Sequence, residues 1–163
     1  MDIETNVQET QPDIFAAEDI YQYEYASNGQ RFLNWLVDNL LMRFGLNWAS
    51  GYIVGYFLAK FFPEFYLNAI LSKGVEFYIT IYLLSIFNYL VYYTFCEKVF
   101  NGYTLGKLIS GTRAIREDGS ELTFKDAFLR SLSRLVPFEA LSIWFGYGLW
   151  HDNWTNTMVI KTR

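Results

Sequence analysis

The sequence predicts an all-α membrane protein with two transmembrane helices, a short third apolar helix that is re-entrant or spanning, and a small cytoplasmic β-hairpin or three-strand element. Three observations predict it. Of 163 residues 52% are apolar and 20% aromatic but only 18% charged, too few solubilising side chains to cover a water-soluble domain of this size. One run of 20 residues carries neither charge nor proline. Basic residues gather in one of the two connections between apolar segments, as they do on the cytoplasmic side of a membrane.

The N-terminal tail, residues 1–30, holds seven acids (Asp2, Glu4, Glu9, Asp13, Glu18, Asp19, Glu24) and no base. Like-charge excess and scattered aromatics predict a flexible tail, with Ile14–Tyr25 as the part that could order against a partner. It has neither the basic start nor the apolar core of a signal peptide. Residues 31–163 form the membrane domain. Its first apolar segment, Phe32–Phe62, is 31 residues long and contains Asp38 and Arg43. As one helix it would extend about 46 Å, so it must tilt, bend or begin in the interface. Arg31, Asn34 and Asp38 share one face of it, with Gly45 further along.

The second span, Phe77–Cys96, is the uncharged run, and its 20 residues cover a hydrocarbon core of roughly 30 Å. The loop 97–134 carries seven bases (Lys98, Lys107, Arg113, Arg116, Lys125, Arg130, Arg134), whereas Lys60–Glu76 holds only Lys60 and Lys73. That asymmetry puts the loop and the N-terminus in the cytoplasm. Within the loop, Gly111–Arg116 and Ser120–Phe124 flank Glu117-Asp118-Gly119, a hairpin signal. The alternating tail at 157–162 would add a third strand. Leu122–Arg134 reads as a helix at the membrane surface. The third apolar segment, Leu135–Trp150, has 16 residues with Pro137 and Glu139 inside it, short for a crossing.

Two motifs and one residue stand out. Gly51, Gly55 and Ala59 repeat at four-residue spacing, which allows close helix packing against the second span or a second copy of the chain. Tyr78, Tyr82, Ser85, Tyr89, Tyr92 and Cys96 line one face of the second span, either as interfacial anchors and packing groups or as a wet path. Asp38 is a carboxylate inside an apolar segment, which costs about 2.5–3.5 kcal/mol on insertion scales unless it finds a partner, a proton or water. It predicts either an ion pair with Arg31, Arg43, Arg130 or Arg134 that clamps helices together, or a proton or cation site.

Arg31 with Asp38, and Asp152 after the third segment, resemble the signature of the RDD family, small polytopic bacterial membrane proteins named for one arginine and two aspartates. Thr104-Leu-Gly-Lys107, Ile109–Arg113 and Glu117–Gly119 resemble the family's segment after its second span. Arg130-Ser-Leu-Ser-Arg134 with Pro137-Phe-Glu139 resembles its next block, and Trp150–Trp154 through Thr157–Ile160 its closing one. The resemblance implies a bacterial inner-membrane protein in which Arg31, Asp38 and Asp152 cluster near the cytoplasmic face, with Arg130 and Arg134 balancing the two carboxylates. It implies no reaction; cation or solute transport is proposed for some members. The short third segment with Glu139 departs from the family pattern.

The expected function is a non-enzymatic accessory or structural subunit of a larger membrane complex; the alternative is a cation or proton transporter working as an oligomer. The expected partners are the lipid bilayer and other membrane subunits or further copies of the chain. No cofactor is expected. With one cysteine (Cys96) and one histidine (His151), neither a disulfide within the chain nor a Cys/His zinc site can be built. His151 and Asp152 lack a nucleophile. Gly102-xxx-Gly106-Lys107 lacks the spacing of a phosphate-binding loop. The basic loop also contains five acids, which argues against nucleic acid.

Overall fold

The structure, a computed structural model, describes residues 23–136, 139 and 149–162. Helix α1 (Asn28–Leu41) starts at a capping box in which the Ser27 hydroxyl accepts from Gln30 N and the Gln30 side chain accepts from Ser27 N. Its backbone runs on without a break through a π-helical turn, Met42–Leu46, into α2 (Asn47–Phe61). One extra residue per turn re-aims the faces beyond it. Asn34, Asp38 and Met42 point inward, while α2 buries no residue.

Pro63, which cannot donate a helical hydrogen bond, ends α2 and opens α3 (Pro63–Ser72), so the expected connection at 60–76 is a further helix. Lys73 in the left-handed region stops it, and α4 (Val75–Val99) follows. Among the described residues α4 alone is long and apolar enough to cross a bilayer, with 25 residues, about 37 Å, and a mean hydropathy of 1.5. The expected first span lies within one continuous helix that carries the π turn, and the α-helical part beyond that turn, α2, has 15 residues and reaches about 22 Å. Protein packing buries α4 only near its C-terminal end, at Tyr92, Tyr93, Thr94 and Glu97.

The segment read as a cytoplasmic loop is folded. After α4 come α5 (Leu105–Ser110), β1 (Thr112–Arg116), α6 (Phe124–Ser133), the one-turn α7 (Trp150–Asn153) and β2 (Thr157–Lys161). The expected hairpin partner at 120–124 forms no strand. Glu117–Gly119 does turn the chain, with Arg116 N donating to Ser120 O, but Thr123 and Asp126 then make a capping box that starts α6. β1 pairs instead with the C-terminal strand, antiparallel from Thr112 opposite Lys161 to Arg116 opposite Thr157. The far edge of β2 takes residues 24–26, through Ala26 N to Val159 O and Lys161 N to Glu24 O. Thus the last part of the assigned tail orders against the chain's own sheet, because β2 would otherwise leave an edge of unpaired amides. Residues 1–22 lie outside the described part, as does most of the expected third segment at 135–150.

Candidate functional site

The buried interior where α1, α4, α5, α6 and α7 meet is mainly polar, and Glu97 is its centre. Fully buried at the end of α4, it accepts from Lys107 Nζ at 2.8 Å and Arg134 Nη2 at 2.7 Å on Oε1, and from Arg130 Nε at 2.9 Å on Oε2. Arg130 passes the network on, donating through Nη1 to Asp152 Oδ1 at 2.6 Å and to Thr157. The other oxygen of Asp152 binds Arg31 of α1. Arg134 also lies over the Tyr93 ring, 4.4 Å from its centroid. Lys107 Nζ completes its bonds on Gly102 O at 3.2 Å.

His151 sits between Arg134 and Glu139. Its Nε2 is 3.3 Å from Arg134 Nη2 and its Nδ1 is 2.6 Å from Glu139 Oε1. Arg134 can only donate, so Nε2 accepts and Nδ1–H donates to Glu139, which describes a neutral imidazole. Burial, reinforced by Arg134, lowers the His151 pKa to about 4. Burial works against ionisation of Asp152, but His151, Arg130 and Arg31 outweigh it and hold its carboxyl well below the usual range. With His151 neutral, the two guanidiniums carry that effect at neutral pH. Burial also brings the Lys107 ammonium down to about 8, Arg130 and Arg134 adding repulsion against the attraction of Glu97.

Asp38 stands apart from these charges. It is 1% exposed, and it accepts from Tyr92 OH and Gly106 N on Oδ1 (2.7 and 2.8 Å) and from the Thr104 hydroxyl on Oδ2 (2.7 Å). Its partners are neutral dipoles from α4, α5 and the residue before α5. None of the arginines expected to neutralise it touches it. Arg31 and Asp152 do meet as expected, whereas Arg134 serves Glu97; Arg130 bridges Glu97 and Asp152; and Arg43 is exposed beside the Phe44 ring. Glu97 was hidden in the sequence as the first residue after the apolar run. Its sign was the excess of bases downstream, each of which needs a carboxylate if it is buried.

Within the chain, the small-residue face makes no close helix contact. A Cβ on Gly51 would meet nothing within 4 Å, and one on Gly55 only Tyr66 at 3.9 Å. Gly51 and Gly55 line an apolar cavity of about 250 Å³ among α2, α3 and α4, with Val54, Phe65 and Phe77 among its other walls. The close approach lies at Gly106, where a Cβ would stand 2.3 Å from Asn34 O of α1. Glycine there lets α5 press its backbone onto α1, which brings Gly106 N to Asp38. The hydroxyl face of α4 divides as well. Tyr78 and Tyr82 are exposed, Ser85 bonds its own helix at Ile81 O, Tyr89 and Cys96 pack against the buried Tyr92 and Tyr93, and Tyr92 donates to Asp38. Among the described residues no group of three His, Cys, Asp or Glu side chains could hold a metal ion.

The sequence model of the RDD family matches residues 25–156, which contain every charged member of this network. The chain belongs to the RDD family. Membership, together with the apolar helix α4, makes it a membrane protein. No curated protein and no solved structure matches it. In this RDD protein Arg31 and Asp152 form an ion pair, and Asp38 occupies a separate hydrogen-bonded seat.

Proposed function

We propose that this RDD protein is a non-enzymatic accessory subunit of the bacterial inner membrane, a module that docks beside larger membrane proteins. One observation carries this reading: the buried ions are each engaged within the chain, Glu97 by three cations and Asp152 by two arginines. Side chains so committed hold helices together; they are not poised to pass a substrate or attack one. The apolar helices α2, α3 and most of α4 leave their aromatic rings facing outward, available to lipid and to neighbouring subunits. Because β2 pairs with β1 of the basic segment, the two lie on one side of the membrane, and with that segment in the cytoplasm a reporter fused after Arg163 would be cytoplasmic. Purification in mild detergent at native expression, followed by mass spectrometry, tests the docking role: stoichiometric membrane companions are expected, and a lone monomer would refute it.

A second reading, an oligomeric cation or proton transporter, is favoured by Asp38 alone. Asp38 is a buried carboxylate that meets only neutral donors, so its partners carry no positive charge to offset it. Flux into proteoliposomes that disappears in Asp38→Asn would favour this reading, and the absence of flux in the wild type would remove it.

A further inference from the structure

Helices in water bury their apolar faces and expose their polar ones. Two short helices of this protein do the reverse. In α5, Gly106 and Lys107 are buried while Leu105, Leu108 and Ile109 are exposed, Ile109 by 59%. In α6, Ala127, Arg130, Ser131 and Ser133 are buried, and the outer face carries Phe124 (63% exposed), Phe128, Leu129 and Leu132. Phe124 and Phe128 stack in parallel along that face, their ring centroids 6.4 Å apart. The outer side of α1 has the same character at Phe32, Trp35 and Leu40. So many large apolar side chains facing outward on two short helices are rare on a solvated loop.

We propose that α5 and α6 lie in the headgroup–acyl boundary of one leaflet, so that their outer apolar faces rest in lipid and close off the ionic core from the membrane side, while the turn at Glu117–Gly119 stays in water. Two features single out lipid as what covers this face. First, the surface is continuous with the outer side of the membrane helix: α6 is bound along the last turns of α4 through Thr94–Ser131 and Glu97–Arg130, and Phe95 and Val99 of α4 are exposed there. Second, Lys125 stands exposed on α6 beside Phe124, and Arg43 is exposed next to the Phe44 ring. Cations on flexible stems beside aromatic rings suit anionic headgroups above and acyl chains below.

The test uses the full chain carrying Cys96→Ser, reconstituted in vesicles of phosphatidylcholine with phosphatidylglycerol, with a nitroxide attached at Ile109→Cys, Phe128→Cys or, in the turn before α6, Asp118→Cys. All three positions are exposed, so the labels leave the interior untouched. Collision with oxygen, which partitions into lipid, is compared with collision with a water-soluble nickel chelate. The oxygen-to-nickel ratio at 109 and 128 is expected several-fold above that at 118. A ratio equal to that at 118 would mean a solvated loop, and low collision with both reagents would mean a second protein chain on this face; either result overturns the proposal.

Discussion

Around Glu97 the side chains that avoid water are ionised and the outward ones are apolar; around Gly51 and Phe77 hardly anything is buried, and the rings of Trp48, Tyr52 and Tyr78 face away from the protein. The contrast follows from the solvent. Where lipid replaces water, apolar surfaces gain little by meeting each other, so helices are joined by hydrogen bonds and charge. At one end the chain has concentrated those bonds: α1, α4, α5, α6, α7 and β2 all contribute to one network. At the other end, three apolar helices enclose a cavity with only a small polar tie, Asn88 to Asn47 and Ser50.

Mutation can break this contrast in graded steps. Glu97→Ala should have the largest effect, since it takes their shared carboxylate from three buried cations and only Arg130 keeps another, Asp152; removing one partner of a buried ion pair costs about 3–5 kcal/mol. Thermal unfolding in detergent would read it, and an unchanged melting temperature would show that the network is not what holds the helices.

The same network should respond to acid. His151 is neutral in the fold, with its pKa lowered from the model-peptide value of 6.5 to about 4. Between those values the unfolded chain binds a proton that the folded chain does not, so stability is complete above about 6.5 and is lost as pH falls towards 4. The loss is on the order of 3 kcal/mol. Unfolding free energy followed over that window should lose this slope in His151→Gln, if that variant folds.

The glycines sharpen the comparison further. Gly106→Ala forces a methyl against Asn34 O and should cost about 1–3 kcal/mol, the range for overpacking a close contact. Gly51→Ala meets open space and should be neutral or gain up to about 1 kcal/mol from helix propensity. Both would be measured by the same melts, and equal effects would erase the distinction between the two ends.

Much of the fold was legible because it is written locally. The apolar run at 77–96 became α4, the capping pair Thr123 and Asp126 lies within the expected surface helix, and the alternation at 157–162 became β2. The hairpin failed because a local turn signal states where the chain reverses and not what the next segment pairs with. Gly51 and Gly55 have the spacing of a packing motif, but spacing cannot say which face meets a neighbour. In the fold that face looks across a cavity towards α3 and α4 without close contact.

By itself the sequence determined that this chain belongs in a membrane and that Arg31, Asn34 and Asp38 share a helix face, since composition and helical periodicity need no knowledge of distant residues. Only the tertiary structure decided which charge meets which. Arg31 finds Asp152 121 positions away, and Arg130 is shared between Glu97 and Asp152. Asp38, a carboxylate inside an apolar segment, is satisfied by Tyr92, Thr104 and the amide of Gly106 and not by an arginine. Coulomb attraction between buried groups depends on their separation in space, and that separation is set when α5 presses onto α1 and α6 onto α4.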